Sequence, residues 1–315
     1  LDRQYDAHLA TEQTGIWGQI KKLQPGETLE IEQGRVIARC HDRPLDTSLR
    51  QHPATVETLD QLLEDSVYHH QRSDVPFGMF LSGGVDSSAL LAMMARLNDT
   101  AVTAYSLRFD SHTVADETEK AHLIARKTGA EFIEITYDRD MFWQQAGLAA
   151  LACDEPAADY AILPTLCLAE RASRDVKVVL SGEGGDEFFA GYGRYRASRR
   201  LVGAKPLMRP GPALKAGILR QDIATSLRER QHALSIAYAP PSFANKLLRP
   251  SSALRQLQRQ DSETWLPDNL LVKLDRCLMR CGVEGRTPFI DKITSPYGYH
   301  LPASAKIRGR QSKYK

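Results

Sequence analysis

The 315-residue sequence predicts an α/β fold built on a doubly wound, mostly parallel β-sheet. From Thr55 onward, helical spacing of apolar residues alternates with short continuous apolar runs, which is the pattern of βαβ units. A continuous run such as Val176–Leu180 is typical of a parallel strand that is buried on both faces. Glycine-rich turns follow two of these runs, near residues 82 and 182. Ligands of such sheets bind at the carboxyl ends of strands, so both turns are candidate sites.

The predicted elements follow one another along the chain. We expect a first helix from Thr55 to about Val67. The predicted strands are Val75–Leu81, Ala101–Phe109, Glu131–Thr136 and Val176–Leu180. The predicted helices are Ser87–Leu97, Asp116–Thr128, a segment ending near Ala152, and Tyr160–Ser173. After Asp186 the pattern is helical, and it is broken into short helices by Pro206, Pro210, Pro212, Pro240 and Pro241.

The first 50 residues differ from the rest. Thr28–Ile31 and Arg35–Cys40 flank the turn residues Gln33 and Gly34, a pattern that predicts a β-hairpin. A segment of this size with few aromatic side chains makes a poor core, so we expect residues 1–50 to be the end of a domain that is mostly missing. The main domain then covers residues 51–315. Because the chain begins with Leu1, we expect it to be part of a longer protein.

Composition disfavours several classes of function. The net charge of +2 gives no reason to expect a nucleic-acid partner or a membrane partner. No apolar run approaches the length that spans a bilayer. The five cysteines are scattered and odd in number, so we expect a reducing compartment and a cytoplasmic location. Cys277 and Cys281 lie one helical turn apart without a second pair, which favours free thiols over a zinc site.

The segment Phe80–Ser88 has the sequence FLSGGVDSS. A strand, a tight glycine turn and a helix N-terminus together make an anion site, because backbone N–H groups and the helix dipole point at one spot. Gly83 and Gly84 permit close approach of the backbone, and Asp86 suits a Mg²⁺ that bridges phosphate oxygens. Further hydroxyl donors come from Ser82, Ser87 and Ser88. The loop lacks the lysine of a Walker A motif, and the alternative interpretation is a glycine-rich turn without a ligand.

Two later segments also attract attention. Leu180–Tyr192 reads LSGEGGDEFFAGY and carries three acids within five residues. Carboxylates so close together require a cation or a metal, unless they form an acidic surface loop that caps a helix. Val272–Asp291 contains KLDRCLMRCGVEGRTPFID. Taken alone, this segment predicts a solvated, salt-bridged helix followed by a turn and a proline-led segment.

In this order and spacing, the three motifs resemble the synthetase domain of the glutamine-dependent asparagine synthetases, which belong to the PP-loop ATP pyrophosphatase superfamily. The resemblance covers about residue 51 to the end of the chain. Further matching residues are Asp116-Glu117, Asp154-Glu155-Pro156 with Ala158-Asp159, Leu301-Pro302, Lys306 and Lys313-Tyr314. The segment Leu23-Gln24-Pro25-Gly26 resembles the last hairpin of that family's glutaminase domain, whose N-terminal cysteine nucleophile is absent from this chain.

The resemblance implies an AMP-forming, ATP-dependent ligase with ATP and Mg²⁺ as cofactors. A carboxylate, which in the enzyme that names the family is the β-carboxylate of aspartate, is activated as an acyl-AMP with release of pyrophosphate. Ammonia from glutamine then displaces AMP to give asparagine. The partners are therefore small molecules. The resemblance allows either a monomer or a homodimer. The alternatives are a relative with another acceptor, such as a β-lactam synthetase or a peptide cyclase, and a non-catalytic nucleotide-binding module.

The resemblance also implies roles for individual residues. The catalytic candidates are Glu183, as a base for the amine, and Lys313, which neutralises phosphate charge. Asp86 and Asp186 are the candidate Mg²⁺ ligands. The ATP-binding candidates are Leu81, Ser82, Gly83, Gly84, Asp86, Ser87, Ser88, Leu107, Ser181 and Gly182. The candidate substrate-side wall consists of Asp275, Glu284, Arg286 and Asp291.

Overall fold

A computed structural model describes residues 20–43, 45, 53–110, 117–153, 159–198, 220–222, 224–225, 228–229, 250–309 and 311–313. The chain divides into two compact units. The first comprises Leu1–His52, Glu187–Asn269 and Pro296–Lys315, and the second comprises Pro53–Asp186 and Leu270–Ser295. The predicted helix-breaking prolines between 206 and 241, the helix start at Asp116 and the motif at 154–156 with Ala158 lie outside the described residues.

The elements are named in chain order. The strands are β1 (Glu27–Glu32), β2 (Arg35–His41), β3 (Phe77–Phe80), β4 (Thr103–Phe109), β5 (Glu131–Tyr137), β6 (Val178–Leu180), β7 (Glu284–Arg286), β8 (Ile307–Arg308) and β9 (Gln311–Ser312). The α-helices are α1 (Val56–His70), α2 (Val85–Leu97), α3 (Thr118–Thr128), α4 (Arg139–Cys153), α5 (Ile162–Ala172), α6 (Gly185–Phe189), α7 (Gly193–Ser198), α8 (Pro250–Gln260), α9 (Val272–Arg280), α10 (Thr294–His300) and α11 (Ala303–Lys306). A π-helical segment covers Asp261–Leu271, and a 3-10 turn covers Pro288–Ile290.

The second unit contains a five-stranded sheet in the order β5-β4-β3-β6-β7. Every neighbouring pair is parallel, and Met79 in the middle of β3 pairs with Ala104 on one side and Leu180 on the other. The chain moves outward from β3 to β5 and then crosses back to β6, so the order reverses beside β3. This arrangement confirms the predicted α/β fold with a doubly wound parallel sheet. The two glycine-rich turns follow the neighbouring strands β3 and β6, where such sheets bind ligands.

Local sequence signals explain several element boundaries. The Thr55 hydroxyl caps α1 by accepting a hydrogen bond from the Thr58 N–H at 3.2 Å. Gly129 ends α3 in the left-handed conformation, with φ of 69°. The predicted strand Val75–Leu81 is shorter in the structure, because Pro76 has no N–H to donate and β3 begins after it.

The core forms where helices cover the sheet. Buried side chains from β4, α5, β6, α9 and the residues just before β6 and β7 make one cluster, which contains Tyr105, Ala169, Ala172, Val176, Val179, Leu274, Leu278 and Val283. In α2, which follows β3, the side chains of Leu90, Leu91 and Met94 are fully buried. These residues occupy one face of the helix at three- and four-residue spacing, as the sequence pattern indicates.

The interpretation of residues 272–291 as a solvated helix and turn is wrong in two respects. First, α9 buries Lys273, Leu274, Cys277 and Leu278. Second, residues Glu284–Arg286 form a fifth strand, β7, although they contain no apolar residue. Gly285 explains the close packing, since a Cβ there would lie 2.7 Å from Leu278 Cδ1. The strand depends on backbone pairing with β6, which side-chain periodicity does not report.

The first unit contains the predicted hairpin. β1 and β2 pair antiparallel, and the turn residues Gln33 and Gly34 have φ of 48° and 76°. Two consecutive positive φ values are those of a type I′ turn, which matches the twist of a hairpin. Within the described residues, no helix is both long and apolar enough to cross a membrane.

Candidate active site

The first glycine-rich loop joins β3 to α2. The Leu81 N–H continues the strand pairing by donating to the Tyr105 carbonyl at 2.8 Å. Gly83 then adopts φ of 74°, and a Cβ at this position would lie 2.6 Å from the Glu117 carbonyl oxygen. Gly84 precedes α2 and offers no side-chain cap. The first N–H groups of a helix have no partners within the helix, so the start of α2 is suited to an anion.

The serine hydroxyls of this loop partly bond to the loop itself. The Ser82 and Ser87 hydroxyl oxygens are 3.0 Å apart, and the Ser82 N–H donates to Ser87 Oγ at 3.2 Å. The Ser82 hydroxyl also accepts from the Gly84 N–H at 3.3 Å. Ser87 is buried, whereas Ser82 is exposed and Ser88 is half-buried. Ser82 and Ser87 therefore shape the turn in this structure.

The second glycine-rich loop contacts the first. A Cβ at Gly182 would lie 3.2 Å from the Ser87 backbone nitrogen and 3.3 Å from Asp86 Cβ. A Cβ at Gly185 would lie only 2.4 Å from Asp86 Cγ. The carboxyl group of Asp86 thus occupies the space that any side chain at 185 would need. The Ser181 N–H fixes the start of this loop by donating to the Arg286 carbonyl at 2.8 Å.

The carboxylates at this junction fit Mg²⁺ of the kind that binds together with phosphate. Asp86 lies against Gly185, and Asp186 is the next residue along the chain. Within the described residues, no group of three or more acids, histidines or cysteines is placed to hold a metal. Mg²⁺ sites commonly use one or two carboxylates plus substrate phosphates and water. Asp86 and Asp186 are two carboxylates, a donor set of that size.

Glu183 belongs to a cluster of three charged side chains. Lys273 Nζ lies 3.2 Å from Glu183 Oε1 and 3.0 Å from Asp159 Oδ2. Burial disfavours the ammonium form, but the charges of Glu183 and Asp159 outweigh it, so the pKa of Lys273 is raised. The three acids of the second loop predicted a nearby metal or cation without identifying it, and Lys273 is the cation beside Glu183. In the sequence, Lys273 stands out only as the first residue of the motif KLDR, and nothing in that motif indicates that it is buried.

The remaining candidate residues have varied positions. Leu107 lies on β4 beyond the end of β3 and packs against the apolar cluster around Leu166 and Cys167. Asp275 is exposed on α9. Asp291 accepts from the Ile293 N–H at 2.8 Å and so supports the start of α10.

Arg286 is held by backbone groups near the end of α1. Its Nη1 donates to the carbonyl oxygens of His70 and Arg72 at 2.9 and 2.8 Å. Its Nε donates to Glu284 Oε1 at 2.8 Å, and Glu284 is largely exposed. Arg286 and Glu284 therefore have structural contacts in this structure, independent of any substrate.

Lys313 belongs to the first unit. It is half-buried and has φ of 52°, an uncommon value for a residue with a side chain. The preceding Ser312 donates to the Gly191 carbonyl at 3.2 Å and accepts from Arg196 Nη1 at 3.0 Å. These contacts fix the backbone next to Lys313.

The cysteines carry no metal-site geometry. All five are free thiols in the structure. Burial, with a smaller contribution from Cys153, raises the pKa of Cys277 to about 12, so this thiol stays protonated near neutral pH.

Comparison with known proteins places this geometry in a family. The family model described as asparagine synthase matches residues 58–315. A Mycobacterium tuberculosis (strain H37Rv) protein with the provisional name of a glutamine-hydrolyzing asparagine synthetase is 33% identical over 298 residues, covering 83% of this chain and 44% of that protein. Asparagine synthetase (glutamine-hydrolyzing) 1 of Bacillus subtilis (strain 168) is 28% identical over 334 residues, covering 94% and 52%.

A further relative carries a different name. Amidase chyE of Penicillium rubens is 29% identical over 167 residues, covering 49% of this chain and 25% of that protein. The chain spans about half the length of the two synthetases. Because the family model covers most of the sequence, including both glycine-rich loops, the chain belongs to the asparagine synthase family.

Proposed function

We propose that this chain forms the ATP-dependent, carboxylate-activating part of an amide-forming ligase. The observation that carries the proposal is the contact between the two glycine-rich loops, which brings the Asp86 carboxyl against Gly185 at the carboxyl end of the sheet. The start of α2 then receives the β- and γ-phosphates of ATP, which is a substrate of the reaction. Leu81, Leu107, Ser181 and Gly182 frame the adenosine.

Positioning and charge neutralisation dominate catalysis of this kind. Asp86 and Asp186 would hold Mg²⁺, and the ion would supply positive charge against the phosphate oxygens. A carboxylate oxygen of the acceptor attacks the α-phosphorus. The bond from that phosphorus to the bridging oxygen breaks, and pyrophosphate leaves toward the backbone amides of the first loop.

The second half-reaction forms the amide. Ammonia attacks the activated carbonyl carbon, AMP departs with its oxygen, and the nitrogen loses a proton to Glu183. We propose the β-carboxylate of aspartate as the acceptor and glutamine as the source of ammonia. Residues 1–50 would then be the end of a glutaminase domain. The free thiols support a cytoplasmic enzyme, since reduced cysteines are usual there.

A second candidate is a family relative that amidates another acid. The similarity to amidase chyE favours keeping this candidate, because that relative shares part of the sequence under a different name. Acceptor choice depends on pocket shape, which the shared scaffold does not fix.

The test is a screen of pyrophosphate release by the complete native polypeptide over candidate acids, with ammonium present. Release with aspartate above all other acids supports the asparagine-forming activity. Release with another acid moves the assignment to the second candidate. No release with ATP and any acid contradicts the proposed activity.

The matched variants Gly185→Ala and Gly147→Ala test the placement of the site. A Cβ at 185 would displace the Asp86 carboxyl, whereas a Cβ at Gly147 in α4 has nothing within 4 Å. We expect Gly185→Ala to lower pyrophosphate release about 100-fold, the scale of a misplaced catalytic group. Gly147→Ala should leave the rate unchanged. Equal rates for both variants would remove Asp86 from the mechanism.

A further inference from the structure

We infer that Lys273 is a positioning residue for Glu183, and that it leaves one particular carboxylate oxygen to take the proton from the incoming amine. The inference rests on the proposed function, because the orientation of Glu183 matters only if an amine attacks near it. Lys273 lies in the first turn of α9, and its side chain is only 7% exposed.

One end of the cluster is fixed to the fold. Asp159 Oδ1 accepts from the Ala161 N–H at 2.9 Å, just before α5. Its other oxygen, Oδ2, accepts from Lys273 Nζ at 3.0 Å. An aspartate with both oxygens engaged, one of them at a helix start, has little freedom to turn. Asp159 therefore holds the Lys273 ammonium in place.

The other end of the cluster is free to turn unless something holds it. Glu183 lies between Gly182 and Gly184, and Gly184 has φ of 90°. Glycine neighbours restrain a side chain weakly. Lys273 Nζ binds Oε1 of Glu183 at 3.2 Å, and Oε2 makes no hydrogen bond to the described part of the chain. The contact thus selects Oε2 as the oxygen that accepts a proton.

The charges of the cluster explain why Lys273 acts through Glu183. Two carboxylates surround one ammonium, so the cluster has a formal charge of −1. The raised pKa of Lys273 means that its nitrogen has no lone pair with which to accept a proton. Its two printed contacts are with carboxylates, so its effect on the reaction passes through the orientation of Glu183.

The experiment compares the two half-reactions in the complete native polypeptide. ATP–pyrophosphate exchange with the acceptor acid reports activation, and amide or hydroxamate formation reports the second step with ammonia or hydroxylamine. After attack, the hydroxylamine nitrogen loses its proton to water far more readily than the ammonia nitrogen does. A defect in the base should therefore be large with ammonia and small with hydroxylamine.

The variants are Glu183→Gln, Lys273→Met, Lys273→Arg and the double variant Glu183→Gln/Lys273→Met. We expect Lys273→Met to lower ammonia-dependent kcat/KM about 100-fold, and hydroxylamine-dependent kcat/KM and pyrophosphate exchange by only a few-fold. Lys273→Arg should recover part of the loss. The double variant should be no worse than Glu183→Gln, since the lysine acts through the glutamate. Lys177→Met removes an exposed lysine of the same unit and serves as the control.

Two results would overturn the inference. In one, the double variant loses the product of the two single effects. In the other, exchange falls as far as amide formation in the folded Lys273→Arg variant, which would make Lys273 part of the ATP site. If Glu183→Gln keeps full ammonia-dependent activity, Glu183 is not the base, and the proposed role of Lys273 is refuted together with it. Thermal unfolding of each variant separates a loss of fold from a loss of chemistry, and the double and Arg variants keep the test open if Lys273→Met unfolds.

Discussion

Two buried lysines, one in each unit, have pKa values that are shifted in opposite directions. Lys273 has a side chain that is 7% exposed and is paired with Asp159 and Glu183. Lys306 is 2% exposed, and its Nζ donates to Gln258 Oε1 at 2.7 Å and to the Tyr299 carbonyl at 2.8 Å. The first has charged partners, and the second has neutral ones.

The partners decide the direction of the pKa shift. Burial lowers the pKa of Lys306 well below its usual value, and the charge of Arg255 lowers it further. For Lys273 burial has the same sign, but two carboxylates reverse the outcome. Burial alone therefore does not fix the direction in which the pKa of a lysine moves. Lys273, with the raised pKa, lies beside the candidate active site, whereas Lys306, with the lowered pKa, hydrogen-bonds to neutral groups.

The largest expected effect is the loss of stability in Lys273→Met. The variant leaves two partly buried carboxylates without their cation, which should cost about 3 kcal/mol in the free energy of unfolding at pH 7. Part of the charge on Glu183 is hydrated, so we expect the lower end of the usual range. Urea unfolding measures this cost, with Lys177→Met as the control. A loss no larger than that of the control would show that the cluster is not a stabilising ion pair.

Lys306→Met should cost less, about 1 kcal/mol. Methionine keeps much of the volume, and the variant no longer buries an amine whose protonated form the site disfavours. The cost that remains is the loss of a donor for Gln258 Oε1 and for the Tyr299 carbonyl. The same unfolding experiment decides the order, and a larger loss for Lys306→Met than for Lys273→Met would reverse the comparison.

The dependence on pH is the subtlest difference. Because the folded pKa of Lys306 is below the unfolded value near 10.5, the unfolded chain binds more protons between those two values, and stability rises with pH there. The advantage of wild type over Lys306→Met should therefore grow in the interval just below pH 10.5, by at most about 1.4 kcal/mol per pH unit. The folded pKa of Lys273 is raised, so its contribution is complete below 10.5 and is lost only above it. The advantage over Lys273→Met should be flat across the same interval.

Sequence alone predicts the sheet well because its strands and helices have different periodicities. The runs around Met79, Tyr105 and Val179 are buried strands, and the two glycine turns lie at their carboxyl ends as expected. The hairpin follows from the turn at Gln33-Gly34, because Gly34 readily adopts the positive φ that a type I′ turn requires. These features are local and depend on residue type.

The failures have a different origin. β7 contains Glu284, Gly285 and Arg286 and exists because β6 offers backbone partners, which no pattern within the segment reports. Lys273 looks solvated on its own helix, and it is buried because Asp159 and Glu183, more than 80 residues away, meet it in space. Contacts between distant residues decide both cases. The motif resemblance found the glutamate but not the lysine that holds it.

The identity of the nucleotide product tests the central claim most directly. The complete native polypeptide is incubated with ATP, Mg²⁺, ammonium and the acid that gives the highest pyrophosphate release, and the nucleotides are separated by chromatography. The proposed binding of the β- and γ-phosphates by the first glycine-rich loop, which lacks the Walker lysine, predicts AMP and pyrophosphate in equal amounts. ADP and inorganic phosphate as the main products would contradict the account.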